Sequence, residues 1–196
     1  MIQRKDEQVS EEKTDEGEKM KKALRASERR VREYQTLLIR LLALLLVVWG
    51  LFFVLLGLLR APNNDMHPRI DNGDLILYYR LDKDVRARDV VVVEKEIDGK
   101  TEVAVSRVVA AAGDTVEVTE GGQLIVNGNA QSEPDIGGLT RPYEGSEVVF
   151  PLTLGADECF VLADTREGGM DSRYFGPVKR DEIAGTAVCI WRRGNL

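Results

Sequence analysis

The sequence predicts a mainly β domain of the small sandwich or barrel-like kind, preceded by one N-terminal transmembrane helix. Three observations carry that expectation. Residues 41–59 (LLALLLVVWGLFFVLLGLL) are apolar and uncharged throughout. Beyond Pro62 the chain breaks into short runs rich in Val, Ile and Tyr, separated by turn residues. Charge is segregated: residues 1–40 hold 11 Lys/Arg against 9 Asp/Glu, and residues 60–196 hold 16 against 24. The whole-chain figures, 43% apolar and 31% charged, conceal this division.

The apolar run comes first. At about 1.5 Å per residue it spans roughly 28 Å, close to one bilayer core. A helix apolar on every face needs a non-aqueous environment. A cleaved signal peptide is the competing reading. The long charged N-terminus, the length of the run and the lack of a small-x-small cleavage site before Pro62 argue against it. Residues 19–40 carry eight Lys/Arg, whereas residues 60–79 carry only Arg60 and Arg69. The positive-inside rule then places the N-terminus in the cytoplasm and residues 60–196 outside, on a single-pass protein of the cell membrane. Residues 19–40 read as a basic juxtamembrane helix, either simply solvated or resting on anionic headgroups. Residues 1–18, polar and mostly acidic, read as a disordered cytoplasmic tail.

In the outer part the candidate strands are 74–80, 89–96, 102–111, 115–119, 123–126, 147–150, 159–162 and 186–192. Asp98-Gly99, Gly121-Gly122 and Asn127-Gly128 mark turns between them. Residues 133–145, with Pro134, Gly137, Gly138 and Pro142, read as a long loop. Many short strands joined by close turns suggest the sandwich or barrel-like architecture. Cys159 and Cys189 each fall in a predicted strand. Outside the membrane a disulfide between them is chemically allowed, as are two buried free thiols.

Composition excludes several functions. An acidic outer domain repels phosphates, so no nucleic-acid partner is expected. One His and two Cys exclude a zinc finger, a three-His zinc hydrolase and a disulfide-dense scaffold. No metal site and no cofactor is expected. A catalytic Cys is not expected either, because His67 lies in a different segment from both thiols.

Three stretches stand in a telling order. Just past the apolar run is Asn64-Asp65-Met66-His67-Pro68-Arg69-Ile70, followed by Gly73-Asp74. In the middle is Val105-Ser106-Arg107-Val108-Val109-Ala110-Ala111-Ala112-Gly113-Asp114-Thr115. Near the end is Ala163-Asp164-Thr165-Arg166-Glu167-Gly168-Gly169-Met170-Asp171-Ser172-Arg173-Tyr174-Phe175-Gly176. Their order and spacing resemble the type I signal peptidases, the membrane serine proteases that cut signal peptides from exported proteins. The resemblance covers residues 41–193. The family pattern reads Ser-Met-x-Pro, then Lys-Arg-Val-x-Gly-x-x-Gly-Asp, then Gly-Asp-Asn-Arg-x-x-Ser-x-Asp-Ser-Arg-x-x-Gly. It implies a signal-peptidase-type β domain outside the membrane.

The departures from that pattern fall on the chemistry. Asp65 stands at the family's nucleophilic Ser, Ser106 at its general-base Lys, and Gly169 at the Ser that helps orient the Lys. Ala163, Thr165 and Arg69 replace a Gly, an Asn and a Thr. A Ser–Lys protease needs an attacking hydroxyl and a neutral amine whose pKa burial has lowered. The Asp65 carboxylate is a poor acyl acceptor, because a mixed anhydride lies uphill from an amide. Ser106 has no basic nitrogen, and Gly169 has no side chain. Losing either dyad member costs on the order of 10⁴–10⁶ in rate. Two rescues are conceivable. A Ser106–His67–Asp65 triad would use the shared face of residues two apart in an extended segment. An aspartic-type pair would join Asp65 to Asp171. His67 reads more simply as a surface or groove residue, and Asp171 as the partner of an Arg.

The scaffold residues match the pattern. Gly113 and Asp114 suit a turn between strands. Asp164, Arg166, Asp171 and Arg173 alternate in sign and are expected to form a hydrogen-bonded ion-pair cluster, with Ser172 in the same motif. The resemblance implies that they brace the site. A peptide- or partner-binding cleft is expected at Asp65, Met66, His67, Pro68 and Arg107. It should lie near the bilayer, since Asp65 is six residues past Leu59, roughly 20 Å of extended chain at most.

The leading expectation is a membrane-anchored, non-catalytic assembly factor. The resemblance extends to dyad-lacking signal-peptidase-like proteins of Gram-positive pilus operons, one pattern of which places Asp at the nucleophile position. Those proteins are implicated in sortase-dependent pilin polymerisation. The implied partners are an extended peptide or pilin subunit, and a sortase. The alternatives are an active signal peptidase and a regulatory pseudoenzyme that binds precursors or a true signal peptidase. The outer domain of about 137 residues lacks the large insertion of many Gram-negative members, which favours a Gram-positive-type cell.

Overall fold

Residues 2–55 contain no proline, and one helix, α1 (Ile2–Leu55), takes all of them. The computed structural model describes residues 2–97, 99–132, 136 and 138–193, with the backbone alone over residues 2–28. Asp98 of one expected turn, and Pro134 and Gly137 of the expected long loop, lie outside the described residues. The chain divides into two units, one ending at Phe52 and one beginning at Phe53.

Two expectations about the N-terminal part are corrected. Residues 2–18, expected to be disordered, are helical. Their Glu, Lys and Gln residues are good helix formers, and no proline interrupts them. The apolar helix expected over 41–59 stops at Leu55, and the next residues form strand β1 (Leu56–Arg60). Gly57 suits the strand. It lies opposite Tyr78 in the ladder, and a Cβ on residue 57 would stand 2.1 Å from the Tyr78 ring. The ring therefore packs directly on bare backbone, a close approach that glycine leaves open. The stretch Arg29–Leu55 is long and apolar enough to cross a membrane. Within it, residues 37–55 carry only Arg40 and would span roughly 28 Å as helix.

From β1 onward the structure is mainly β. The strands are β2 (Leu75–Tyr79), β3 (Val90–Ile97), β4 (Lys100–Ala110), β5 (Thr115–Val118), β6 (Leu124–Val126), β7 (Asn129–Ala130), β8 (Leu152–Thr153), β9 (Glu158–Leu162), β10 (Val178–Lys179) and β11 (Ile183–Trp191). One sheet runs β1-β2-β11-β3-β4-β9-β10 and a smaller one runs β7-β6-β5-β8, with antiparallel pairing throughout. A four-residue helix, α2 (Ser172–Phe175), precedes β10.

The core follows from the two-residue alternation of buried strands. In β9, Cys159 and Val161 pack with Val91, Val93, Val108, Val178 and Ile183. Phe160 and Leu162 point the other way, onto Val116, Val118, Leu124 and Leu154. β9 thus divides two cores between its two faces. A third cluster, of Ala61, Met66, Ile70, Ile76 and Val105, lies under the loop that joins β1 to β2.

Two further sequence expectations meet the structure here. Residues 147–150 form no strand. The Ser146 hydroxyl takes the Val148 N–H (3.0 Å) and donates to the Tyr174 carbonyl (3.3 Å). A side chain thereby occupies the main-chain group that a ladder would use. Cys159 and Cys189 are free thiols. Their strands, β9 and β11, stand three steps apart in the sheet. At about 4.8 Å per step that is roughly 14 Å, twice the reach of a disulfide. Burial pushes the Cys159 thiol up to about 12.

Candidate functional site

The segment from Ala61 to Asp74 is a loop folded back on itself. The Ala61 N–H donates to the Asp74 carbonyl (2.8 Å), and the Gly73 N–H returns to the Ala61 carbonyl (3.0 Å). Asp74 is the pin. Its carboxylate accepts from the Asp71 N–H (2.9 Å) and from the Arg193 N–H (2.8 Å). The first of those bonds, opposed by burial, holds the carboxyl below its ordinary value. The expected Gly113-Asp114 turn uses the same device. There the Asp114 carboxylate takes the Ala111 N–H (2.9 Å) and the Asn127 amide (2.8 Å). The parallel between the two Gly-Asp pairs is visible in the sequence. The Arg193 contact is not.

Asp65 sits in this loop, half-buried. Its Oδ2 accepts from the Asn63 side-chain amide (2.8 Å) and, at 3.4 Å, from the Met170 N–H. Burial pushes its carboxyl above the ordinary range, the Met170 and Asn63 donors pull it back, and the Asp171 charge adds a further upward push. The Asp65 main chain is tied as well. Its carbonyl accepts from the Thr165 N–H (2.7 Å), and the Thr165 hydroxyl donates to the Asn64 carbonyl (2.9 Å). Thr165, Asn63 and the Met170 N–H are therefore site residues that the sequence reading did not single out as contacts. The departure from the family Asn at position 165 was the one available signal.

Ser106 lies in β4 opposite Val91. It is fully buried, and its hydroxyl has no hydrogen-bond partner among the described residues. His67 turns outward, with Nδ1 2.7 Å from the Asp71 carboxylate. The structure thus joins none of the three groups of the Ser106–His67–Asp65 arrangement. Asp171 is equally committed elsewhere. Its two oxygens accept from the Ala163 N–H (3.0 Å) and from the Arg173 N–H, Nε and Nη2 (3.0, 2.9 and 2.8 Å). It influences Asp65 only through its charge.

At Gly169 there is no room for a side chain. A Cβ there would lie 2.5 Å from the Ala163 methyl and 2.7 Å from the Thr165 carbonyl oxygen. Where the family pattern has Gly at 163 and Ser at 169, this chain has Ala and Gly. The Ala163 methyl fills the space that a residue-169 side chain would need.

The expected four-membered ion-pair cluster is divided rather than continuous. Asp171 and Arg173 form one buried pair. Asp164 instead accepts from Nε and Nη2 of Arg107, at 2.8 and 2.7 Å, with Arg69 3.6 Å away. Arg166 donates to the Thr140 hydroxyl (2.6 Å). Ser172 accepts the Val161 N–H (3.0 Å). Of the expected cleft residues, His67 and Pro68 are exposed and Arg107 is largely covered by Asp164. Met66 is a correction. It is 2% exposed and belongs to the third core cluster, where an unbranched thioether fills the space beside Ile70 and Val105.

A β domain carrying these three motifs defines the signal-peptidase class. The family model described as signal peptidase, peptidase S26, matches residues 32–192, and the chain belongs to that family. A signal peptidase I of Leptolyngbya laminosa is 29% identical over 142 residues, 65% of this chain and 64% of its own length. The chain therefore spans just under two thirds of that relative. A signal peptidase I of Bacillus caldolyticus is 31% identical over 137 residues, 64% of this chain and 73% of its own. A crystal structure of a signal peptidase I from Enterococcus faecalis V583 is 25% identical and covers 52% of this chain and 95% of its own, with a TM-score of 0.42.

Three outcomes follow for the full-length protein in detergent. Gly169→Ser overpacks the site and costs about 1–3 kcal/mol of unfolding free energy. Adding Ala163→Gly recovers part of that loss, the Thr165 carbonyl keeping the rest. Urea unfolding of the single and double variants measures both. Ser106→Ala removes an orphaned buried hydroxyl and should raise stability by about 1 kcal/mol in the same assay. The raised carboxyl of Asp65 stabilises the fold most below its ordinary value of 3.8. That contribution fades as pH climbs through the raised value. Asp65→Asn should therefore melt above the parent at pH 7, and the two melting temperatures should converge near pH 3.

Proposed function

We propose that this chain is a signal peptidase I-like protein that has given up proteolysis and serves as a membrane-anchored assembly factor. The observation that carries the reading is the use made of the nucleophile position. Asp65 is a tie between two loops, held by Asn63, Thr165 and the Met170 N–H. No basic nitrogen stands at residue 106, and among the described residues the Ser106 hydroxyl meets no group to take its proton. In this reading α1 anchors the protein once in the cell membrane. The basic residues of 19–40 remain in the cytoplasm and residues 60–196 lie outside. The exposed His67 and Pro68 beside Asp65 face a peptide or a folded partner.

The specific role we propose is in sortase-dependent pilin polymerisation in a Gram-positive cell, with a pilin subunit or sortase as partner. The resemblance of Asp65 to the Asp of dyad-lacking pilus-operon relatives supports it, by analogy rather than by geometry. Two assays separate the parts of the proposal. Purified full-length protein, mixed with a preprotein at high ratio beside an authentic signal peptidase, should yield no cleaved product. Cleavage that Asp65→Ala abolishes would overturn the loss of chemistry. In cells, deletion of the gene should collapse the covalent pilin ladder, and the Ser106→Ala allele should restore it. A ladder unaffected by deletion would remove the pilus role while leaving the first result standing.

A further inference from the structure

A groove of about 780 Å³ lies on residues that none of the three motifs' chemistry uses. One wall is the outer end of β3, and the other is the segment of residues 145–149. Ile97, Val148, Leu152, Phe175 and Pro177 supply its apolar half, and the rest of the lining is largely polar. The segment had the sequence pattern of a strand yet has no ladder. From Ser146 to Val149 it runs with neither turn nor bend. The Val148 N–H is taken by Ser146. The main-chain N–H and C=O groups of Glu147 and Val149 bond to nothing among the described residues. In a straight segment, residues two apart present those groups on the same side. Val149 also exposes 76% of its surface, which makes it an apolar residue beside an open backbone edge.

The charge around this groove is one-sided. Lys95 is neutralised from within, its Nζ lying 2.9 Å from a Glu182 oxygen and 2.9 Å from the Pro177 carbonyl. That leaves Glu96 and Glu147, both exposed, as the rim charges. We propose that the groove takes an extended peptide segment of a partner protein. The peptide would add as a strand along residues 147–149, with apolar side chains on the floor alternating with Lys or Arg toward Glu96 and Glu147. Main-chain bonds would supply affinity, and the alternate side chains would supply specificity. The site is separate from Asp65 and does not depend on whether the Asp65 site is catalytic.

The test uses the full-length protein in non-ionic detergent and a fluorescein-labelled hexapeptide, Lys-Val-Lys-Val-Lys-Val, read by anisotropy against empty micelles. The expected result is a saturable rise. Binding should be at least tenfold weaker for Glu-Val-Glu-Val-Glu-Val, and for the Lys-Val peptide N-methylated at alternate residues. The double variant Glu96→Lys/Glu147→Lys should reverse the charge preference. Val149→Pro, which removes one free N–H, should weaken binding at least tenfold. If that variant does not fold, the N-methylated peptide interrogates the same ladder from the other side. The proposal is overturned by the absence of saturable binding, or by binding indifferent to N-methylation and to charge reversal. It is equally overturned if Asp65→Ala abolishes binding, since the peptide would then sit at the other site.

Discussion

The buried pair of Asp171 and Arg173 sets the shape of the loop on which the site depends. Every bond it makes is directed. The carboxylate is filled by the Ala163 N–H and three donors of Arg173, and the guanidinium reaches on to the carbonyls of Arg166 (2.8 Å) and Arg141 (3.2 Å). Asp171 is 0% exposed and Arg173 is 3%. A charge pair so far from water is tolerated only when its remaining hydrogen-bonding capacity is met. Meeting it here fixes the main chain from Ala163 to Arg173. Thr165 and the Met170 N–H are thereby placed where they can hold the Asp65 loop.

The Asp65 loop is pinned independently from its other side. Asp74 grips its own turn and the Arg193 N–H. Arg192 donates to the carbonyls of Pro68 (3.2 Å) and Arg69 (3.0 Å). The two residues that follow β11 thus tie down a loop more than a hundred residues earlier in the chain. Beneath it, Met66 and Ile70 are packed against Ile76 and Val105. A half-buried carboxyl whose pKa is raised survives in such a place because its loop is held on both flanks by bonds other than those of the carboxylate alone.

The β domain was legible because its signals are local. Runs such as 90–93 and 159–162 are apolar on both faces, and Gly-Asp and Asn-Gly pairs stand between strands. What was not legible depends on distant partners. Strand β1 after Leu55 depends on pairing with β2, where Gly57 meets Tyr78, and an LLGLL run reads equally well as helix in lipid or as strand. Asp164 was expected to join its near neighbours in the alternating-sign motif. It pairs with Arg107 because β4 and β9 are adjacent in the sheet, whereas Arg166 turns toward Thr140. Met66 was placed in the cleft by its position in the motif, although its chemistry suits the core. The strand expected over 147–150 failed because a single serine hydroxyl satisfied the backbone first.

The exchange between residues 163 and 169 explains how architecture and chemistry can part company. The bonds that shape the site act largely through main-chain groups: the Ala163 N–H on Asp171, the Thr165 N–H on the Asp65 carbonyl, and the Met170 N–H on the Asp65 carboxylate. Main-chain donors remain whatever non-proline side chain sits beside them, so the loops hold their form while residues 163 and 169 change. On the proposed reading, reaction chemistry has no such insurance, because the family pattern would need its own side chains at 65, 106 and 169. Once the methyl at 163 occupies the space beside 169, restoring a hydroxyl there requires two coordinated changes. Either change alone leaves a clash or a void. On the proposed reading, that coupling makes the loss of the third polar group hard to reverse, and it leaves the preserved scaffold available for binding.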